Sequence, residues 1–319
     1  MKLGICLTST GLAVREGLLT VAQIHGVRGV QVDAYGPLLP EHLTQTGRRE
    51  IRSLIRGYNL ELTAVQCPLR KSLDTIEHYD ARLDYIQRSM QLCYDLGCRL
   101  VIVPCPSLAA ELADIQKKAS DTMKSAGGTS SSSPANPDNP MLPRSIISEA
   151  NLSGLNFSGA NFSGEQSATS NYLQNALQTL ARFSDRIGVT LALEIGIDSA
   201  EIVTAYLETK GLNSIQINFD PANFLIHGHN PSQQLFPLSG RIAHTHARDV
   251  RRSGLSRGPQ EVAVGHGDID WLSYFATLSA IEYRGFIVLE RESGSDPLTD
   301  LKAGVKFLQR FVPAENSSN

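Results

Sequence analysis

Four apolar runs each carry, late in the run, a side chain that could hold a cation or move a proton. They are Glu194 in TLALEIG, Asp220 in SIQINFD, His246 in RIAHTHA and Glu290 in GFIVLERE. Side chains alternate along a strand, so parity sorts each run into two faces. Ile215, Ile217 and Phe219 oppose Gln216, Asn218 and Asp220, while Leu191, Leu193 and Ile195 oppose Ala192 and Glu194. Ile242, His244 and His246 oppose Ala243, Thr245 and Ala247, and Val288, Glu290 and Glu292 oppose Ile287 and Leu289. An earlier run, GVQVDA, sets Gln31 and Asp33 against Val30 and Val32. Carboxylates brought together out of water repel, and each is costly to desolvate without a partner. Taken alone, any of the four fits a salt-bridged strand end. Four of them on corresponding strand ends, all with one parity, call for a divalent metal, with Arg248 and Asp249 just beyond His246.

Eight strands must position these residues. The candidates are 2–8, 29–34, 60–66, 99–105, 190–196, 214–220, 241–247 and 285–292. Helix-like segments such as EHLTQTGRREIRSLIRGY and TIEHYDARLDYIQRSMQLCYDLG separate them, and several end in Gly where a C-cap is expected. This rhythm predicts an α/β fold with parallel pairing, closing as a (β/α)8 TIM barrel over a single domain, 1–319. An open doubly wound sheet is the structural alternative, but no GxGxxG follows the first strand. In the barrel the polar parity points inward, and the four residues converge at one mouth.

One stretch, 107–167, breaks the rhythm. It passes through KSAGGTSSSSPANPDNP, which reads as disordered, and then ANLSG-LNFSG-ANFSG, three pentapeptide repeats that are too few to stack alone. This low-complexity insertion follows strand four, so it leaves from the face where barrel active sites sit, where a lid would be placed. The formal net charge of −3 gives no basic field for a nucleic acid. The five cysteines have no CxxC spacing and read as free thiols. The N-terminal apolar run is too short for a signal peptide, and no run of ~18 apolar residues appears. The expectation is a cytoplasmic protein with a small-molecule partner, no nucleic acid and no membrane, with a homo-oligomer left open.

LALEIG, NFDPANFLIHGHNP, HTHARD, VGHGDIDW and GFIVLERE, in this order, resemble the sugar-phosphate isomerase/epimerase family with the xylose isomerase-like TIM barrel. The resemblance is strong over Thr190 to Val312, and the N-terminal half shares mainly the βα rhythm. In the ketose 3-epimerase branch one metal ion, often manganese, is held by Glu, Asp, His and Glu. Carried over by motif, the ligands are Glu194, Asp220, His246 and Glu290, and the same two glutamates exchange the substrate proton. That agrees with the chemistry, since a metal on the oxygens of a hydroxy-ketone stabilises an enediolate while a carboxylate on each side moves the proton. The resemblance implies manganese; the ligand set also suits magnesium, cobalt or zinc.

The branch places a substrate-binding arginine shortly after the metal histidine, and Arg252 is the best match, with Arg251 beside it. Asn223 stands where several ketose epimerases have a substrate-contacting histidine, so specificity does not transfer. His244 faces inward but deeper, as a supporting or substrate-side residue. Gly265 and Gly267 suggest a tight turn before a helix at Trp271. Endonuclease IV-type enzymes share the barrel but need further histidines, where this chain has Gln66-Cys67-Pro68, Pro104-Cys105-Pro106 and Asn223. The functional expectation is a metal-dependent sugar or sugar-phosphate isomerase or epimerase. The alternatives are a sugar-acid or inositol dehydratase on the same scaffold, or a catalytically inactive sugar-binding barrel.

Overall fold

Branched aliphatic runs form the strands. In the computed structural model, which describes residues 1–113, 115, 117, 166–252 and 258–312, they are β1 (Lys2–Cys6), β2 (Val27–Asp33), β3 (Glu61–Gln66), β4 (Leu100–Pro104), β5 (Thr190–Ile195), β6 (Gln216–Phe219), β7 (Ile242–Ala247), β8 (Asp249–Arg252), β9 (Pro259–Val262) and β10 (Phe286–Leu289). Eight of these close a barrel in the order β1-β10-β7-β6-β5-β4-β3-β2. All eight pairings are parallel, and the β1–β10 seam pairs Leu3 with Ile287 and Ile5 with Leu289. This is the (β/α)8 barrel that the alternating pattern predicts.

Helices α1 (Val14–Ala22), α2 (Gln45–Gly57), α3 (Tyr79–Leu96), α4 (Gln166–Ile187), α5 (Ala200–Thr209), α6 (Pro221–Ile226), α7 (Pro231–Gln234), α8 (Trp271–Ala280) and α9 (Pro297–Leu308) complete the chain. Their starts are read from local chemistry. The Thr44 hydroxyl accepts from the Gly47 N–H at 3.2 Å, and Asp270 and Asp296 accept from Ser273 and Thr299, each at 3.1 Å. At the far end of α3, Gly97 takes φ 83°, the left-handed cap the sequence assigns to glycine.

Parity sorts the side chains as expected. Leu191, Leu193, Ile195, Ile217 and Phe219 are buried between sheet and helices in one large core. Each such side chain contributes about 1.5–3 kcal/mol by leaving water. A separate small cluster, Ala64, Ile102 and Ala192, fills the barrel interior. Outward-facing Phe219 stacks on Phe224 of α6 at 4.6 Å between ring centroids. That contact fixes the start of α6 against the end of β6.

The structure departs from the expected elements in three places. Strands β6 and β10 stop at Phe219 and Leu289, so Asp220, Glu290 and Glu292 sit just past them rather than in strands. Pro221 cannot extend the ladder, and Asp220 instead caps α6. Second, the antiparallel hairpin β8–β9 grows from the mouth after β7, pairing Asp249 with Val262. Its short, polar sequence carries no apolar alternation to announce it. Third, the 107–167 stretch is helical at both described ends, over 109–113 and from Gln166, where α4 starts. Most of that insertion, the pentapeptide repeats included, lies outside the described residues. Where it leaves the barrel, Ser107 donates to Asp198 Oδ1 at 2.8 Å. No helix among the described residues is long and apolar enough to cross a membrane.

Candidate metal centre

Glu194 is the fifth residue of β5, and Gly196 behind it has φ +140°. A Cβ at Gly196 would strike Asn223 and the Phe224 N–H, so only glycine lets the end of β5 lie this close to the start of α6. Across that gap Asp220 caps α6, its Oδ1 accepting from Ala222 N–H at 2.7 Å and Asn223 N–H at 3.3 Å. Its second oxygen, Oδ2, is left to face the mouth. His246 stands on β7 opposite Val288, and Glu290 follows β10 with its own N–H bonded to Ala247 O at 3.2 Å. One ligand atom from each of Glu194, Asp220, His246 and Glu290 lies within 4.8 Å of the others.

The cluster is deeply buried and electrically strained. His246 Nδ1 is 3.0 Å from Glu194 Oε1 and 3.1 Å from Glu290 Oε2. Burial alone would lower the imidazole pKa, but Glu290 and Glu194 outweigh it and hold it well above the usual histidine value. Burial raises Asp220, against the opposing pull of Arg248. For Glu290 burial is overcome by His246 and Arg248, which keep its pKa low. Arg248 is the cation of the site: Nε is 3.4 Å from Asp220 Oδ2, Nη1 is 2.8 Å from Glu292 Oε1, and Nη2 donates to Asn223 Oδ1 at 2.9 Å.

A divalent ion fits these residues. Asp220 Oδ2 and Glu290 Oε2 are buried carboxylate oxygens without a hydrogen-bond partner among the described residues, an arrangement rarely kept without a ligand. His246 Nε2 is 2.9 Å from Gln31 Oε1, so it donates there and leaves Nδ1 aimed at the carboxylates. Three carboxylates and one imidazole make a donor set that suits manganese, magnesium, cobalt or zinc.

Beneath the cluster lies a polar layer that the sequence signals only by parity. Asn218 Nδ2 donates to Glu194 Oε1 at 3.4 Å, and its Oδ1 accepts from His244 Nδ1 at 2.8 Å. Burial, reinforced by the charge on His246, keeps His244 well below the usual histidine value, and its Nε2 faces the Thr63 hydroxyl at 3.3 Å. Gln31 Nε2 also donates to Gln66 Oε1 at 2.6 Å. Gln31 and Asn218 each stand two residues before an inward-facing carboxylate, which was the signal available for them.

The other expected residues are placed apart. Asn223 reaches the centre through Arg248. His244 lies one layer below the ligands and is 1% exposed. Arg252 is on the exposed edge of β8, its N–H bonded to Asp268 Oδ2 at 2.8 Å. The glycine turn has a cause that sequence reasoning missed. The buried Asp249 carboxylate accepts from the N–H groups of Val250, Gly265, Gly267 and Ile269 and from Trp271 Nε1 at 2.9–3.4 Å. A Cβ on Gly267 would collide with that carboxylate.

On the opposite wall, Asp33 ends β2. Its Oδ2 accepts from the Thr8 hydroxyl at 2.7 Å, and the Cys6 thiol is 3.9 Å from Oδ1. Burial pushes its carboxyl up to about 6, against the opposing Thr8 hydrogen bond.

Fold and site together define a parallel β/α barrel whose strand ends could seat a divalent ion. The chain belongs to the xylose isomerase-like TIM barrel family, whose family model matches residues 19–127 and 148–311. It is similar to the inosose dehydratase of Geobacillus kaustophilus, 26% identical over 161 residues, which cover 44% of this chain and 52% of that protein. The chain thus spans about half the length of the curated relatives it matches. Among solved structures it resembles a xylose isomerase domain protein from Planctomyces limnophilus (TM-score 0.70, 19% identity, 98% of this chain and 96% of that one). It also resembles D-psicose 3-epimerase from Clostridium cellulolyticum in a structure with D-tagatose (TM-score 0.66, 14% identity, 98% and 99% covered). At these identities the likeness is one of fold.

Proposed function

We propose that this chain is a metal-dependent enzyme that moves a proton on the carbon beside the carbonyl of a sugar or related polyhydroxy ketone, giving isomerisation or epimerisation. The observation that carries this reading is the buried ligand set with two carboxylate oxygens that lack a hydrogen-bond partner among the described residues, Asp220 Oδ2 and Glu290 Oε2. Glu194, Asp220, His246 and Glu290 would hold one divalent ion, manganese foremost. When bound, the ion would supply a Lewis acid for the carbonyl and neighbouring hydroxyl oxygens.

The chain's own groups do the rest. Glu194 on β5 and Glu290 after β10 approach the mouth from different strands, so one can remove a proton and the other return it from the opposite face. Arg248 holds Asp220 and Glu292 in place and presents the Asn223 amide. Asn223 and Arg252 are proposed to contact substrate hydroxyls, and His244 to orient Asn218 from below. A second reading, loss of water from a polyhydroxy ketone, is favoured by the similarity to inosose dehydratases and by the extra carboxyl of Asp33 at the mouth.

Metal content, measured by mass spectrometry on wild type and on a Glu194→Ala/Asp220→Ala double variant, tests the reading. About one ion per chain in wild type, lost in the variant, is the expected result. Deuterium wash-in from heavy water into D-psicose, D-tagatose, L-ribulose and inosose then reports proton abstraction whatever the product. No ion after addition of manganese or cobalt would overturn the proposal and leave a sugar-binding barrel.

A further inference from the structure

All four ligands come from one unbroken run of the barrel, β5-β6-β7-β10, leaving β1 to β4 as a facing arc. A substrate held by the ligand arc must lie against that wall. At its strand ends stand Thr8, Asp33, Gln66 and Pro104, and among them Asp33 is the one carboxyl. Its orientation follows from its neighbour. Gln31 reaches inward to His246 Nε2 at 2.9 Å, and Asp33 has the same parity, about 6–7 Å nearer the mouth. Asp33 is not part of the ligand cluster, and among the described residues no lysine, arginine or histidine forms an ion pair with it. Thr8 fixes Oδ2, while among the described residues the one hydrogen-bonding contact of Oδ1 is the weak thiol contact of Cys6.

We propose that Asp33 is a catalytic acid that meets the substrate from the arc opposite the ligands and protonates a departing hydroxyl, which decides for the second reading above, elimination of water, over isomerisation or epimerisation. Inversion at a carbon needs one group on each face, and Glu194 and Glu290 already meet that need. A third carboxyl on the far wall has work only if another bond breaks. One of the glutamates takes the proton from the carbon beside the carbonyl. The C–O bond on the next carbon breaks, and its electron pair leaves with the oxygen. Asp33 gives its proton to that oxygen, and water departs as the carbon–carbon double bond forms. Exchange with solvent then restores the proton on Asp33 and removes it from the glutamate, so no oxidant or reductant is needed. Burial, which raises the proton affinity of this carboxyl, keeps a protonated fraction near neutral pH.

The inference rests on the proposed metal-dependent reading, and one experiment separates the two. Wild type, Asp33→Asn and Asp33→Glu, each loaded with manganese and checked for metal content, are given inosose and the ketose panel in heavy water. Asp33→Asn can still accept the Thr8 hydrogen bond, so the fold is retained. It should keep its metal and its deuterium wash-in but lose water elimination by roughly a hundredfold or more, with partial rescue by Asp33→Glu. A substrate carrying fluoride in place of the departing hydroxyl needs no proton on leaving, and the Asn variant should turn it over. Elimination by Asp33→Asn at the wild-type rate would overturn the assignment, as would a wild type that exchanges deuterium and epimerises without losing water; both leave the metal reading standing. A wild type with neither wash-in nor product would sink that reading and this inference with it.

Discussion

The two arcs of the barrel mouth share one backbone plan and differ in how their polar atoms are satisfied. On β1 to β4, Thr8 bonds Asp33 at 2.7 Å and Gln31 bonds Gln66 at 2.6 Å. On the ligand arc, Asp220 Oδ2, Glu290 Oε2 and Arg248 Nε are buried without hydrogen bonds, and attraction between charges is what holds them. Buried polar atoms without partners are costly. They persist where a ligand completes them, so this contrast supports the proposed ion on one arc and a preformed wall on the other.

Arg248 tests the contrast most severely. Arg248→Met takes from Asp220 its nearest cation and leaves Glu290 only His246, and should destabilise the metal-free protein by about 3 kcal/mol. Melting with and without manganese reads this out, and the loss should shrink when the ion is present. An equal loss in both states would mean that the arginine supports packing alone.

On the facing arc, Asp33 holds its proton more tightly folded, with a pKa of about 6, than at the ordinary 3.8. Its contribution to stability is therefore fully present below pH ~4 and is lost as pH rises through about 6. Denaturant titrations of the metal-free protein should show wild type losing about 2 kcal/mol relative to Asp33→Asn across that window, after allowance for solvent screening. A gap that stays constant with pH would remove the shift.

Gln31→Leu joins the arcs, since Gln31 belongs to the wall but orients a ligand. Manganese affinity by calorimetry should fall roughly tenfold. Unchanged affinity would show that His246 needs no such partner. The smallest effect is expected at exposed Arg252, where Arg252→Ala should leave stability within about 0.5 kcal/mol. A raised KM there would confirm the proposed substrate contact, and an unchanged one would leave that role to Arg248.

Much of this was legible in the sequence because strands impose a period of two. Parity along TLALEIG and RIAHTHA alone points Glu194 and His246 inward. Parity also indicated the side of Asp220 and Glu290, although both lie just past their strands. What it could not supply was pairing across the barrel. Gln31 lies 215 residues from His246, and only barrel closure reveals that the two touch. Arg248 was placed at the mouth without a role, since its partners Asp220, Asn223 and Glu292 come from two distant segments, the start of α6 and the loop after β10. The hairpin β8–β9 was missed because its backbone ladder and the Asp249 carboxylate define it, and hydrophobic spacing does not.

The unbroken run β5-β6-β7-β10 also bears on the order of assembly. Every proposed ligand lies between residues 190 and 290, and every pairing that brings them together is made inside that run. The proposed ion's seat is therefore a property of half a barrel, and its own strand pairings do not need β1 to meet β10. Only the Gln31 support for His246 waits for that seam to close. A refolding chain could take up its ion early and hold it loosely, then tighten its grip as the N-terminal strands dock.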